Sequence, residues 1–136
     1  MAKELKDILR RKSKTQLVKK LDSVYSKYIR DKYAKDGYVS CVTCGKSDRV
    51  ENMQNGHYVS RSHYSTRWLD KNCHPQCYRC NVALHGNYVQ YTLFMMSTYG
   101  NDVVEELSVL SKQTPKYSKL DLWEMTDYYI KQYKVK

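Results

Sequence analysis

The sequence has no hydrophobic run near the roughly 20 residues that a membrane-spanning helix needs, which argues against an integral membrane protein. Residues 1–12 are charged and lack the apolar core of a signal peptide. No solenoid repeat or low-complexity tract occurs. We therefore expect the 136 residues to form a single modest domain in the cytoplasm, with no membrane partner.

Acidic residues are scarce: 14 Asp and Glu stand against 24 Lys and Arg, for a formal net charge of +10. Phenylalanine occurs once, whereas tyrosine occurs 14 times, and a tyrosine ring can pack while its hydroxyl binds phosphate. This composition favours an anionic partner, most commonly nucleic acid. The alternative is a protein whose basic face is merely solvated.

Residues 1–37 are predicted to form a basic helical arm. From Thr15 onwards, apolar residues recur every three or four positions and define one helix face. The other face carries candidate DNA contacts, namely Lys19, Lys20, Lys27 and Arg30. A second helical region is predicted over 101–136, where Ser118 and Asp121 have the spacing of a helix N-cap.

Between these regions, the two pairs Cys41/Cys44 and Cys77/Cys80 both have CxxC spacing. Two such turns can place four thiolates around one tetrahedral zinc ion. In a cytosolic protein this is expected more than disulfides. The fifth cysteine, Cys73, lacks a CxxC partner and is interpreted as a spare thiol. We therefore predict a structural zinc site.

The segment between the cysteine pairs is expected to contain two short strands. Asn55-Gly56 either forms a hairpin turn or clears space beside His57. After Pro75, a helix is predicted from Tyr78 through His85. Asn81 and His85 would then lie at i and i+4 on one helix face.

The order CxxC, Gly-His, Asn, CxxC-Asn resembles the HNH, or ββα-metal, endonucleases with a zinc finger. A closer resemblance is to the phage NinG/Rap recombination nucleases, and the CxxC-Asn ending is similar to that of phage endonuclease VII. The resemblance spans about residues 38 to 95. It rests on Gly56-His57-Tyr58-Val59-Ser60-Arg61, Thr66-Arg67-Trp68-Leu69-Asp70, His74-Pro75-Gln76-Cys77-Tyr78-Arg79-Cys80-Asn81 and Gly86-Asn87.

This resemblance implies an α+β fold, with a zinc-stapled ββα-metal core at 38–100 flanked by the two helical regions. It also implies cleavage of branched or Holliday-junction DNA in phage recombination, inside the host cytoplasm. His57 would be the general base, Asn72 would hold the loop that aims it, and Asn81 and His85 would bind a catalytic Mg²⁺ or Mn²⁺. Arg61, Arg67 and Arg79 are candidate phosphate contacts. A symmetric cut of two strands implies a homodimer.

Two points remain open at the level of sequence. Many HNH enzymes have a metal ligand directly before the histidine base, but here that residue is Gly56. The ion either has fewer protein ligands or takes one from Glu51 or Asp70, or His57 is itself a ligand. The functional alternatives are a zinc-finger nucleic-acid-binding protein without cleavage and an HNH endonuclease that does not select DNA structure.

Overall fold

The computed structural model describes residues 2–134, so the last two residues of the predicted 101–136 region lie outside it. Over this range the chain is mixed α+β, as predicted. The helices are α1 (Lys3–Arg11), α2 (Lys14–Lys32), α3 (Tyr64–Arg67), α4 (Tyr88–Tyr99), α5 (Val103–Ser111) and α6 (Lys119–Lys134). The strands are β1 (Tyr38–Ser40), β2 (Ser47–Arg49), β3 (Gln54–His57) and β4 (Cys73–Gln76). None of the helices in this range is long and apolar enough to cross a membrane.

The chain divides into two compact units, residues 1–28 with 116–136, and residues 29–115. The predicted division at 37/38 and 100/101 stays a prediction. The helical unit buries the predicted face of α2, including Leu17, Leu21 and Tyr25. Tyr25 meets Tyr129 of α6 edge to face at 4.8 Å. At the start of α6, the Asp121 amide donates to Ser118 Oγ over 3.0 Å, which confirms the predicted cap.

The 29–115 unit contains two antiparallel hairpins. β1 pairs with β2, and β3 pairs with β4 in a register that sets Gly56 opposite His74 and His57 opposite Cys73. One apolar cluster forms around the cysteine pairs, from Val39, Cys41, Met53, Cys77 and Cys80. A second packs α4 and α5 against the residue after β3, from Tyr58, Tyr91, Met95, Val103 and Leu107. Both clusters include residues that adjoin β3 or β4 in sequence, namely Met53 and Cys77 in the first and Tyr58 in the second.

Two local predictions are wrong. Asn55 and Gly56 lie inside β3 and do not form a hairpin turn, because strand pairing over 54–57 claims their backbone. The helix predicted from Tyr78 through His85 is a single π-helical turn over Arg79–Ala83. It ends because the chain reverses there: His85 and Gly86 both adopt positive φ, at 51° and 96°.

Candidate functional site

Four cysteine sulfurs from the two CxxC loops converge beside β1 and β4. Their Sγ atoms all lie within 4.8 Å of one another, and Cys44 Sγ is 3.7 Å from Cys77 Sγ. A tetrahedral zinc ion with Zn–S near 2.3 Å requires sulfurs about 3.8 Å apart. Cys41, Cys77 and Cys80 are buried and Cys44 is exposed. The donor set and its spacing fit one zinc ion.

The crowding of these sulfurs shifts the pKa values of two of the thiols in opposite directions. Burial opposes ionisation of Cys41, but a hydrogen bond with the Thr43 hydroxyl and backbone hydrogen bonds outweigh it and lower the pKa of Cys41 to about 6. At Cys44, a backbone hydrogen bond with Lys46 lowers the pKa, but burial and the neighbouring sulfurs prevail and raise it to about 12. All four sulfurs can be thiolates together only with a cation between them, so metal binding would release the remaining thiol protons. Cys73 Sγ lies outside this group and donates to the Arg67 carbonyl at 3.4 Å, as befits the predicted spare thiol.

His57 is the last residue of β3 and is partly buried. Its Nε2 lies 2.9 Å from the Arg67 carbonyl oxygen. Because a carbonyl oxygen only accepts, this contact assigns the proton to Nε2 and, in the neutral ring, the lone pair to Nδ1. Nδ1 is then the ring nitrogen that carries the lone pair a general base uses.

Asn72 is fully buried just before β4 and holds the loop that faces His57. Its Oδ1 accepts from the Val59 amide at 2.7 Å. Its Nδ2 donates to the Val59 and Thr66 carbonyls, each at 3.0 Å. Val59 is two residues after His57, and Thr66 directly precedes Arg67. The Asn72 carboxamide therefore fixes both chain segments that bring His57 and the Arg67 carbonyl together.

Asn81 and His85 do not share a helix face, because only Asn81 lies in the π turn. Asn81 is partly buried, and its Nδ2 donates to Gln54 Oε1 of β3 over 2.7 Å. His85 is exposed in the following turn. Since the side-chain Nδ2 of Asn81 is directed at Gln54, the side-chain Oδ1 of Asn81 is the atom that could bind a cation.

Gln76 explains why residue 56 is a glycine. Its side chain is fully buried, and its Nε2 donates to Thr43 Oγ1 at 3.1 Å and to the Gly86 carbonyl at 2.9 Å. A Cβ at residue 56 would overlap the Gln76 carboxamide. Gly56 thus clears space next to His57 in the sequence, as the second interpretation of Asn55-Gly56 expected, and the Gln76 side chain fills that space. A side-chain metal ligand at position 56 is excluded unless Gln76 moves.

The two acidic residues considered as substitute ligands are both in ion pairs. Asp70 Oδ2 lies 3.2 Å from Lys32 Nζ, and Glu51 Oε1 lies 3.5 Å from Arg49 Nη1. Over residues 2–134, the four cysteines are the sole group of three or more His, Cys, Asp or Glu ligand atoms close enough to share an ion. A second ion in this part of the chain would have to bind with fewer such ligands.

The predicted phosphate contacts differ in their surroundings. Arg67 packs its guanidinium over Tyr64 and Trp68, at 5.2 and 5.4 Å from the ring centres. Its Nη1 also donates to the Arg61 carbonyl at 3.0 Å. Arg61 and Arg79 are exposed, as are the α2 residues Lys19, Lys20 and Lys27. Arg30 is partly buried and donates to the Val50 carbonyl at 2.9 Å, which gives it a structural contact in the 29–115 unit.

The two remaining histidines, His63 and His74, differ in their surroundings. His63 is exposed, and its Nδ1 lies 3.2 Å from the Ser111 carbonyl. His74 is fully buried, with both ring nitrogens against tyrosine hydroxyls, so a phosphate contact is excluded. Residues that sequence reasoning did not identify are Gln76 and the partners of His74, Tyr91 and Tyr99. Gln76 offered one signal, since it directly precedes the second CxxC pair.

Comparisons with known proteins agree on one family. A family model described as "Bacteriophage Lambda NinG protein" matches residues 2–136. The chain is 27% identical over 97 residues to "Protein ninG" of Escherichia phage lambda, and 26% identical over the same length to "Protein ninG" of Salmonella phage P22. Each match covers 71% of this chain and 46% of the relative. The matched region thus spans about half the length of these curated relatives. No solved structure matches significantly.

Proposed function

The chain belongs to the NinG family, and on that premise we propose that it is a metal-dependent DNA endonuclease of phage recombination. It hydrolyses phosphodiester bonds, and its substrate is branched or Holliday-junction DNA. A junction resolvase cuts two strands symmetrically, so the active form is a homodimer. The family name itself states no activity, and the proposal rests on the chemistry of the site.

The observation that carries the proposal is the hydrogen bond from His57 to the Arg67 carbonyl, 2.9 Å long. A general base needs a fixed tautomer with its lone pair directed towards the reacting water. The carbonyl supplies that tautomer, and the buried Asn72 carboxamide holds it in place from both sides. A zinc finger that only binds DNA needs the four cysteines but has no use for an oriented histidine.

A second metal ion, Mg²⁺ or Mn²⁺, would be held by the side-chain Oδ1 of Asn81 and by His85. The π turn and the chain reversal that carry them are tied to the hairpin by Asn81–Gln54 and Gln76–Gly86 hydrogen bonds. A divalent ion supplies positive charge to the phosphate and the leaving 3′ oxygen. Mg²⁺ commonly uses few protein ligands and completes its shell with phosphate oxygens and water. A sparse ligand set, with glycine at position 56, is compatible with that preference.

Basic side chains supply the DNA contacts. Arg61 and Arg79 lie on the 29–115 unit, whereas Lys19, Lys20 and Lys27 lie on the helical unit. Arg67 packs its guanidinium against two rings, which pre-organises it for a phosphate. No base-reading element is needed for this role, since phosphate contacts position DNA without reading its sequence.

The test compares zinc-loaded parent, His57→Ala and the control His63→Ala on end-labelled DNA. Substrates are a four-way junction and a linear duplex of the same sequence, each with and without Mg²⁺ or Mn²⁺. We expect metal-dependent cleavage of the junction by the parent and by His63→Ala. His57→Ala should cut roughly 10²–10⁴-fold more slowly while binding the junction normally.

Two results would decide for the alternatives. If the parent binds both DNAs but cuts neither with any metal, the chain is a zinc-finger binding protein. If the parent cuts linear and branched DNA equally fast, it is an HNH endonuclease without structure selectivity.

A further inference from the structure

The residue directly before the proposed base is a glycine. Gly56 lacks a Cβ because Gln76 fills that space, and glycine backbone is more permissive than that of any other residue. The Gly56 carbonyl belongs to the peptide plane that leads into His57. Whatever holds this carbonyl therefore limits how far the His57 ring can drift.

The Gly56 carbonyl is held by a tyrosine from α4. Tyr91 is 1% exposed, and its hydroxyl donates to the Gly56 oxygen over 2.7 Å. The same hydroxyl lies 2.9 Å from His74 Nδ1. His74 Nε2 in turn lies 2.7 Å from the Tyr99 hydroxyl. One hydrogen-bonded chain thus runs from Tyr99 through His74 and Tyr91 to Gly56.

The direction of every bond in this chain follows from its last acceptor. A carbonyl oxygen only accepts, so the Tyr91 hydroxyl donates its proton to the Gly56 carbonyl, and its oxygen must accept the hydrogen bond with His74 Nδ1. His74 must then donate through Nδ1–H. A neutral imidazole has one N–H, so Nε2 accepts from the Tyr99 hydroxyl. Neutral His74 agrees with its burial among aromatic rings, which lowers its pKa to about 4.

In this arrangement the three hydrogen bonds between Tyr99, His74, Tyr91 and Gly56 strengthen one another. Hydrogen bonds that point the same way polarise one another, most strongly where water is excluded. Both central residues, His74 and Tyr91, are excluded from water. Tyr99, the outermost of these three residues from Gly56, is only partly buried.

We propose that Tyr91 is a positioning residue for His57, acting through the Gly56 carbonyl and oriented by His74. The proposal rests on the proposed nuclease function for its effect on cleavage. Its effect on the His57 ring is independent of cleavage. Tyr91 does not contact DNA or the reacting atoms in this role.

The first test measures cleavage of the four-way junction at saturating DNA by three phenylalanine variants. Tyr91→Phe removes the bond to Gly56, and because small misplacements of a catalytic group are costly, the rate should fall roughly 10- to 100-fold. Tyr99→Phe removes the bond to His74 but leaves the bond to Gly56, so it should cost less. Tyr58→Phe is the matched control: this tyrosine is also buried, and its hydroxyl bonds Thr92 Oγ1 at 2.7 Å, outside the hydrogen-bonded series from Tyr99 to Gly56. It should cut at the parent rate.

The second test reads the histidine rings by ¹⁵N NMR without DNA. In the parent we expect His74 protonated at Nδ1 and His57 at Nε2. In Tyr91→Phe the His57 nitrogen shifts should move towards tautomer averaging, with zinc content and junction affinity unchanged. This result supports the positioning role even if the parent cuts no DNA, in which case only the nuclease proposal fails.

Three results would overturn the positioning role. One is a Tyr91→Phe variant with parent His57 shifts and parent rate. Another is a Tyr58→Phe variant that loses as much rate as Tyr91→Phe, which would indicate general loosening of the cluster. The third is a Tyr91→Phe variant that loses zinc or junction affinity in proportion to its rate. If Tyr91→Phe does not fold, Tyr99→Phe carries the same comparison from the outer end of the chain.

Discussion

Acid should destabilise the 29–115 unit through His74. Burial, aided by the positive charge of Lys32, lowers the pKa of His74 to about 4, against about 6.5 in an unfolded chain. Between about pH 4 and about pH 6.5, His74 is protonated in the unfolded chain but neutral in the folded chain. Stability therefore falls as the pH drops from about 6.5 to about 4, and the His74 contribution is fully present only above that window.

The size of the effect follows from the gap between the two pKa values. At about 1.4 kcal/mol for each pKa unit, the loss across the window amounts to about 3 kcal/mol. That is a large share of the 5–15 kcal/mol that typically stabilises a domain, so the loss is measurable by urea unfolding. Trp68 lies in the same unit and is 6% exposed. In a Trp123→Phe background, its fluorescence reports the unfolding of this unit alone.

His74→Gln is the informative variant, because a glutamine can still donate towards Tyr91 and accept from Tyr99 but does not titrate. Acid also protonates the zinc thiolates, and this loss is common to parent and variant. Between pH 6.5 and pH 4 the free energy of unfolding of the parent should therefore fall by about 3 kcal/mol more than that of His74→Gln. His63→Gln, at an exposed histidine, should follow the parent. Parallel curves for the parent and His74→Gln would refute the account.

Three further outcomes are expected. Purified protein should contain about one zinc per chain, lost with the fold of the finger in Cys41→Ser but retained in Cys73→Ser; a reduced, zinc-free parent would contradict the site. Junction binding should weaken steeply with salt, with a log–log slope that reflects several phosphates, and an affinity that stays flat up to physiological salt would remove the electrostatic account. Cleavage lost in Asn81→Ala or His85→Ala should be partly restored by excess Mg²⁺ or Mn²⁺, whereas His57→Ala should not respond; the reverse pattern would make His57 the metal ligand.

Sequence spacing predicted the features that depend on local chain geometry. Two CxxC turns have little freedom in where they place their sulfurs, so Cys41, Cys44, Cys77 and Cys80 could be grouped without a structure. The apolar period of α2 likewise predicted its buried face, since one residue in three or four must point inward.

The other local sequence signals failed because contacts between residues distant in sequence outweighed local preferences. Asn55-Gly56 is a strong turn pair in isolation, but pairing with β4 holds these two residues extended. The chain reverses direction between β3 and β4 within the connection from 58 to 72. The i, i+4 spacing of Asn81 and His85 assumed a regular helix. The chain instead forms a π turn and then reverses at His85 and Gly86. Neither result could be read from residues that are close in sequence.

The role of Gln76 was also beyond the reach of the sequence, because its partners come from three separate segments. It connects Thr43 of the first cysteine loop, Gly86 beside His85, and the space above Gly56 beside His57. Its Oε1 has no hydrogen-bond partner among the described residues. A buried acceptor left unpaired costs free energy. At Gln76 this cost is associated with a position in which the side chain packs against the zinc loop, the Gly86 turn and Gly56 together.

This connection limits how the proposed zinc ion and the proposed Mg²⁺ or Mn²⁺ ion can be told apart. The Thr43 hydroxyl that accepts from Gln76 also contacts Cys41 Sγ at 3.2 Å. Loss of zinc would free the Cys41 loop and, through Gln76, loosen the Gly86 turn and the strand that ends at His57. A chelator strong enough to remove zinc would therefore abolish cleavage whether or not a second ion takes part. The role of Mg²⁺ or Mn²⁺ can be judged only by withholding and restoring that ion while the zinc content of the protein stays constant.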